Sequence, residues 1–217
     1  SLPAEADETA RRAALEDYLF AQQDYDGSRM EYYSLGNRYL NEVIDDREGL
    51  PITLSILYLE LADRLDLDVD GVGLPGHFVV RWRPTDGEPQ LIDVFESAQP
   101  VALEEARRRV AAATGGDVRD EYFAPVDNHA ILVRMLQNLL GIEQQSGDLL
   151  GVLNYLDAIL TVAPDQARSR WLRAEMRARA GRVDAALADT EWLVAHEPAG
   201  VDLNRIRALA EFLRSSR

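Results

Sequence analysis

The run Gly49-Leu50-Pro51-Ile52-Thr53-Leu54-Ser55-Ile56-Leu57-Tyr58 decides the fold, because a helix start and the helix it opens can both be read from it. Pro51 suits the first helical turn, where its missing N–H would have no intrahelical partner anyway. Leu54, Leu57, Tyr58, Leu61 and Leu65 then mark one apolar face of a buried helix. After Leu67 the period changes. Val69 to Leu74, His77 to Trp82 and Gln90 to Val94 are short and rich in Val, Ile and aromatics, separated by Pro75-Gly76 and Pro84-Thr85-Asp86-Gly87. They predict three strands of a small antiparallel sheet. Upstream, Leu15, Tyr18 and Leu19 fit a helix opening after Thr9, and a second helical stretch runs from about Leu35 to Arg47, with Gly27-Ser28 between them.

From Leu103 onward the chain reads as entirely helical, with breaks at Gly115-Gly116, Ser146-Gly147-Asp148, Ala163-Pro164-Asp165, Gly181-Arg182 and Glu197-Pro198-Ala199-Gly200. Pro164 and Pro198 lie 34 positions apart, the period of tetratricopeptide repeats. Leu153, Leu156 and Ile159 are matched at that spacing by Leu187, Thr190 and Leu193. About two such units are present where at least three are needed for independent stability, so the hairpins are expected to lean on the preceding domain. The expected division is residues 1–125, an α+β domain, and residues 126–217, an all-α region of helical hairpins. Gly115-Gly116 reads as the interdomain turn.

Composition excludes several kinds of chemistry. The chain has 217 residues and no cysteine, so disulfides, cysteine-held metals and thiolate nucleophiles are ruled out. Every one of its 23 basic residues is Arg, which leaves no side-chain amine for a Schiff base. The net charge of −15 repels phosphate backbones, and Arg107-Arg108-Arg109, the best local basic patch, reads as a solvated helix face. Nucleic acid is therefore not an expected partner. No apolar run is long enough to span a bilayer, and Ser1 to Thr9 is acidic where a signal peptide would be basic, so a cytoplasmic protein without membrane contact is expected. His129 and His196 lack metal-ligand spacing, and Asp45-Asp46 with Asp66, Asp68 and Asp70 lack the glycine and terminal glutamate of a calcium loop. Neither a metal nor a cofactor is expected.

The order Arg47-Glu48-Gly49-Leu50-Pro51-Ile52-Thr53-Leu54-Ser55, then Leu74-Pro75-Gly76-His77-Phe78, then Leu91-Ile92-Asp93-Val94-Phe95 resembles the transglutaminase-like superfamily, and within it the SirB1-type branch, where such a domain precedes tetratricopeptide-like helices. The resemblance covers about Asn37 to Arg214. It implies a transglutaminase-like (papain-type) core of helices plus a small antiparallel sheet. It also implies a triad: a Cys at a helix N-terminus, activated by a His on an adjacent strand that an Asp on the next strand orients. A helix N-terminus stabilises a thiolate, an imidazole moves the proton, and a carboxylate fixes the imidazole tautomer. His77 and Asp93 match the second and third members. Pro51 falls where the nucleophile belongs, and it has no nucleophilic atom. Asp66 stands where the branch carries Gly at the helix exit.

Three functions follow from this arrangement. A domain without its nucleophile, fused to helical hairpins, implies an interaction module for a protein or peptide partner. The alternative is a hydrolase or acyl transferase in which Ser55 or Thr53 attacks, with His77 as general base and Asp93 orienting it. Ser55 lies one turn from Pro51 on the same helix face, but a hydroxyl there lacks the helix-terminal N–H groups that would activate it. A third reading is a cleft that binds a small ligand beside His77, Tyr58 and Trp82 without chemistry. Each residue also has a plainer role: His77 and Asp93 can simply brace the sheet, and buried Ser and Thr usually bond a backbone carbonyl. The sequence does not set the oligomeric state.

Overall fold

A computed structural model describes residues 5–29 and 39–215 and divides the chain into two units, Ser1–Ile131 and Leu132–Arg217. The first unit opens with α1 (Glu8–Glu16), capped by the Asp7 carboxylate, which accepts from the Ala10 N–H at 2.8 Å. A π-helical turn, Asp17–Gln22, continues it. Then come β1 (Asp26–Gly27), α2 (Leu40–Asp46) and β2 (Glu48–Gly49), with β1 and β2 paired in parallel. The first residues of the helix expected from Leu35 lie outside the described residues. Gly27 admits no side chain, since a Cβ there would sit 2.7 Å from the carbonyl oxygen of Phe95.

The helix α3 (Pro51–Arg64) starts at Pro51, as the sequence predicts. The Leu50 side chain cannot cap it, so Thr53 takes that work: its hydroxyl accepts from the Leu50 N–H at 2.9 Å and lies 3.1 Å from the Leu50 carbonyl. At the other end the Leu67 N–H reaches the Ala62 carbonyl and the Asp66 N–H reaches the Asp63 carbonyl, the paired bonds of a Schellman motif. This geometry puts Asp66 in the left-handed region, φ 52°, which is the physical reason for glycine in that place.

The sheet has five strands, not three: β3 (Val69–Val72), β4 (Val79–Trp82), β5 (Gln90–Asp93), β6 (Gln99–Val101) and β7 (Pro125–Val126), in the order β6-β5-β4-β3-β7 and antiparallel throughout. The two unexpected strands are its edges. At two and three residues, each with a proline, they show no alternation to read, and they exist because a formed strand offers them a ladder. Pro125–Val126 also corrects the reading of everything after Leu103 as helical. Period-two alternation sends Val80, Trp82 and Ile92 into a core shared with Leu15, Leu54 and Tyr58. The opposite face, with Val72, Val79 and Leu91, packs on Ala106 and Val110 of α4 (Leu103–Thr114). Gly115, at φ 69°, ends α4, and Gly116 lies within the first unit, so this pair is a helix stop instead of an interdomain turn.

α5 spans Asn128–Ser146. The second unit continues with α6 (Leu149–Val162), α7 (Ala167–Arg179), α8 (Val183–His196) and α9 (Leu203–Ser215). Pro164 and Pro198 each stand two residues beyond a helix end, and the six residues matched at 34 positions are all buried. A charged cluster adds to the apolar packing among α6, α7 and α8. Asp189, 2% exposed, accepts from Arg173 at 2.6 and 2.9 Å and from Arg177 at 2.8 Å, with Arg170 at 3.3 Å. Arg173 and Arg177 also reach Asp157 at 2.7 and 2.9 Å. Three arginines at spacings of three and four share one face of α7, so a single buried carboxylate gathers them.

Removing Asp189 takes from Arg170 its carboxylate partner among the described residues and leaves Arg173 and Arg177 with Asp157 alone. Asp189→Ala is expected to cost about 3–5 kcal/mol in urea unfolding of the full chain, against near zero for the exposed pair Arg64 and Glu60. Asp66→Gly should relieve the left-handed strain and stabilise the protein by roughly 0.5–1 kcal/mol, read as a higher thermal midpoint.

Candidate functional site

His77 follows the turn Leu74-Pro75-Gly76, where Gly76 takes φ 76° and the His77 N–H closes on the Leu74 carbonyl at 3.1 Å. That turn delivers the imidazole to the end of β5. Its Nε2 lies 2.9 Å from both oxygens of Asp93, the last residue of that strand. A carboxylate can only accept, so Nε2 carries the hydrogen and donates. The Asp93 side chain is 1% exposed and the His77 side chain 21%. Phe95 stands edge-on to the imidazole, 6.2 Å between ring centres at 90°.

A fourth side chain completes the group. Arg109 of α4 donates from Nη1 to Asp93 Oδ2 at 2.9 Å, while its Nε donates to Glu105 at 3.0 Å one turn back. The solvated reading of Arg107-Arg108-Arg109 holds for Arg108, 71% exposed, and in part for Arg109, 43% exposed, which also reaches inward to Asp93. The spacing of Glu105 and Arg109 was the one trace of this in the sequence, and it pointed to a surface pair. Burial pushes the Asp93 carboxyl up, but hydrogen bonds and positive charge from His77 and Arg109 outweigh it and hold the group below the usual carboxylate range.

The hydroxyls of α3 do not join this group. Thr53, 1% exposed, bonds the backbone of Leu50 at the helix start. Ser55 is fully buried, and its Oγ has no hydrogen-bond partner among the described residues, so it makes no bond to His77. Pro51 is buried at the first position of α3. Tyr58 and Trp82, expected beside a cleft, are core residues. The Tyr58 hydroxyl lies 3.1 Å from Glu16, with burial and that carboxylate both pushing its pKa up, and the Trp82 ring packs under Arg12 at 4.3 Å. Asp70 pairs with Arg81 at 3.0 Å and Asp68 with Arg83 at 2.7 Å, so these two acids brace β3 and β4; Asp66 is the solvated one, its side chain 94% exposed. His129 is exposed, and His196 bonds the Trp192 carbonyl at 2.8 Å. Among the described residues no cluster of three His, Asp or Glu could hold a metal, and no helix is long and apolar enough to cross a membrane. What stands together is an imidazole oriented by a buried, arginine-clamped carboxylate.

A family model described as the transglutaminase-like superfamily matches residues 1–137, and one for the tetratricopeptide repeat matches residues 139–211. The chain therefore belongs to the transglutaminase-like superfamily, with tetratricopeptide-repeat helices after that domain. It is similar to two proteins of Xylella fastidiosa named UPF0162 protein, 37% identical over 72% of this chain in strain 9a5c and 32% identical over 91% in strain Temecula1. It is also 29% identical to human F-box only protein 21 over 75% of this chain. The chain spans 57% of the first of these relatives, 72% of the second and 27% of the F-box protein. No solved structure matches it.

The lowered pKa of Asp93 fixes a sign for pH dependence. Its contribution to stability is present above the unfolded carboxylate value, about 3.9, and is lost as pH falls through the lower folded value. Asp93→Asn should remove that acid-side dependence, so the difference in urea midpoint between wild type and variant shrinks steadily as pH drops below about 4.

Proposed function

We propose that this protein is a catalytically silent, SirB1-type member of its superfamily that works in the cytoplasm as an interaction module for a protein or peptide partner. The observation that carries the reading is the occupant of the helix start. Pro51, which the family resemblance aligns with the nucleophile, offers no atom to attack with and stands at the first position of α3, where proline suits a helix. The absence of cysteine closes the same route from the sequence side. Ser55 weighs against an oxygen nucleophile because its hydroxyl is buried and unbonded, and Thr53 because its hydroxyl serves the helix start. The helical hairpins supply a binding surface that needs no thiol. The net charge of −15 supports a partner other than nucleic acid.

The purified protein should leave glutamine-containing peptides and isopeptide substrates unchanged, with neither cleavage, deamidation nor cross-linking above background. Capture of a specific partner should survive His77→Ala. Turnover that disappears in His77→Ala would show an active enzyme and end this reading.

A further inference from the structure

Asp93 Oδ2 serves two donors, His77 Nε2 and Arg109 Nη1, each at 2.9 Å, and Oδ1 faces His77 as well. We propose that Arg109 is a positioning residue of this site, acting on His77 through Asp93 by keeping the buried carboxylate ionised and turned so that both oxygens face the imidazole. The inference does not depend on the partner reading, because it concerns the pair itself.

A carboxylate that is 1% exposed meets a large desolvation cost, which protonation would relieve. The His77 N–H offsets part of that cost. A guanidinium adds a full positive charge that no accessible pH removes, together with a second charge-assisted bond. The geometry shows that Arg109 is itself held for the task. Glu105, four residues earlier on α4, accepts from Arg109 Nε at 3.0 Å, so that the Nη1 edge is aimed at the strand end. Arg108 bonds the other oxygen of Glu105. Around Asp93 the charged or titratable groups in contact among the described residues are thus His77 before β4 and Arg109 from α4, with Glu105 and Arg108 behind it. The Arg109 side chain is 43% exposed, so its replacement opens no large cavity in the core.

The test is the ionisation of Asp93 followed by carboxyl carbon NMR in the full-length chain. Arg109→Met removes the charge and the donors while keeping length. The Asp93 midpoint should rise by about one pH unit or more, a tenfold or greater gain in proton affinity. Arg109→Lys should restore most of the depression, and Glu105→Gln, which loosens the aim of Arg109, should fall between the two. An unchanged Asp93 midpoint in a folded Arg109→Met protein overturns the proposal, as does an Arg109→Lys variant that behaves like the methionine. Circular dichroism and thermal midpoints establish folding for each variant, and His77→Ala gives the comparison in which the other donor is lost. Failure here leaves partner capture untouched, and failure of partner capture leaves the titration untouched.

Discussion

A buried carboxylate must be met by donors or give up its charge, and the arrangement around Asp93 follows from that requirement. Antiparallel pairing of β4 and β5, in the register Val80↔Ile92 and Trp82↔Gln90, places Asp93 at the strand end beside the turn that carries His77. α4 must then lie where Arg109 can reach the same oxygen. Three segments far apart in sequence are tied through one side chain, and the sheet's two cores lie on either side of that tie. The second unit repeats the solution with Asp189, which gathers three arginines of α7, two of which also reach Asp157.

Much of this was legible from residues alone, and the legible parts share a cause. Pro51 as helix start, the three central strands and the breaks among the later helices are local features, set by backbone preference and by the period of apolar residues. The pairing of His77 with Asp93 came through the family pattern and is met by the geometry. What the sequence hid is non-local. Arg109 reads as surface because its helix neighbours are charged, and only the approach of α4 to β5 gives it a partner. The edge strands hid for the same reason: two or three residues carry no period, and their structure is induced by the strand beside them. Tyr58 and Trp82 suggested a cleft by their chemistry, but helix and sheet periodicity place them in the core, with a polar tip or ring face satisfied by Glu16 and Arg12.

The site and the helix start tell a consistent story about what selection on such a domain can keep. Pro51 sits at the start of α3 without disturbing it, because proline's geometry is already that of the first turn. The His77 and Asp93 pair has a structural reason of its own, because a buried carboxylate needs its donors.

Both edges of the sheet hold a proline, Pro100 opposite Ile92 and Pro125 opposite Val72. A proline offers no main-chain N–H, so neither edge presents the alternating donors and acceptors that a visiting strand needs. The sheet is thus finished at five strands. Among the described residues, each edge of this sheet is therefore a poor template for a strand from another chain or from a second copy, the step on which a fibre would begin.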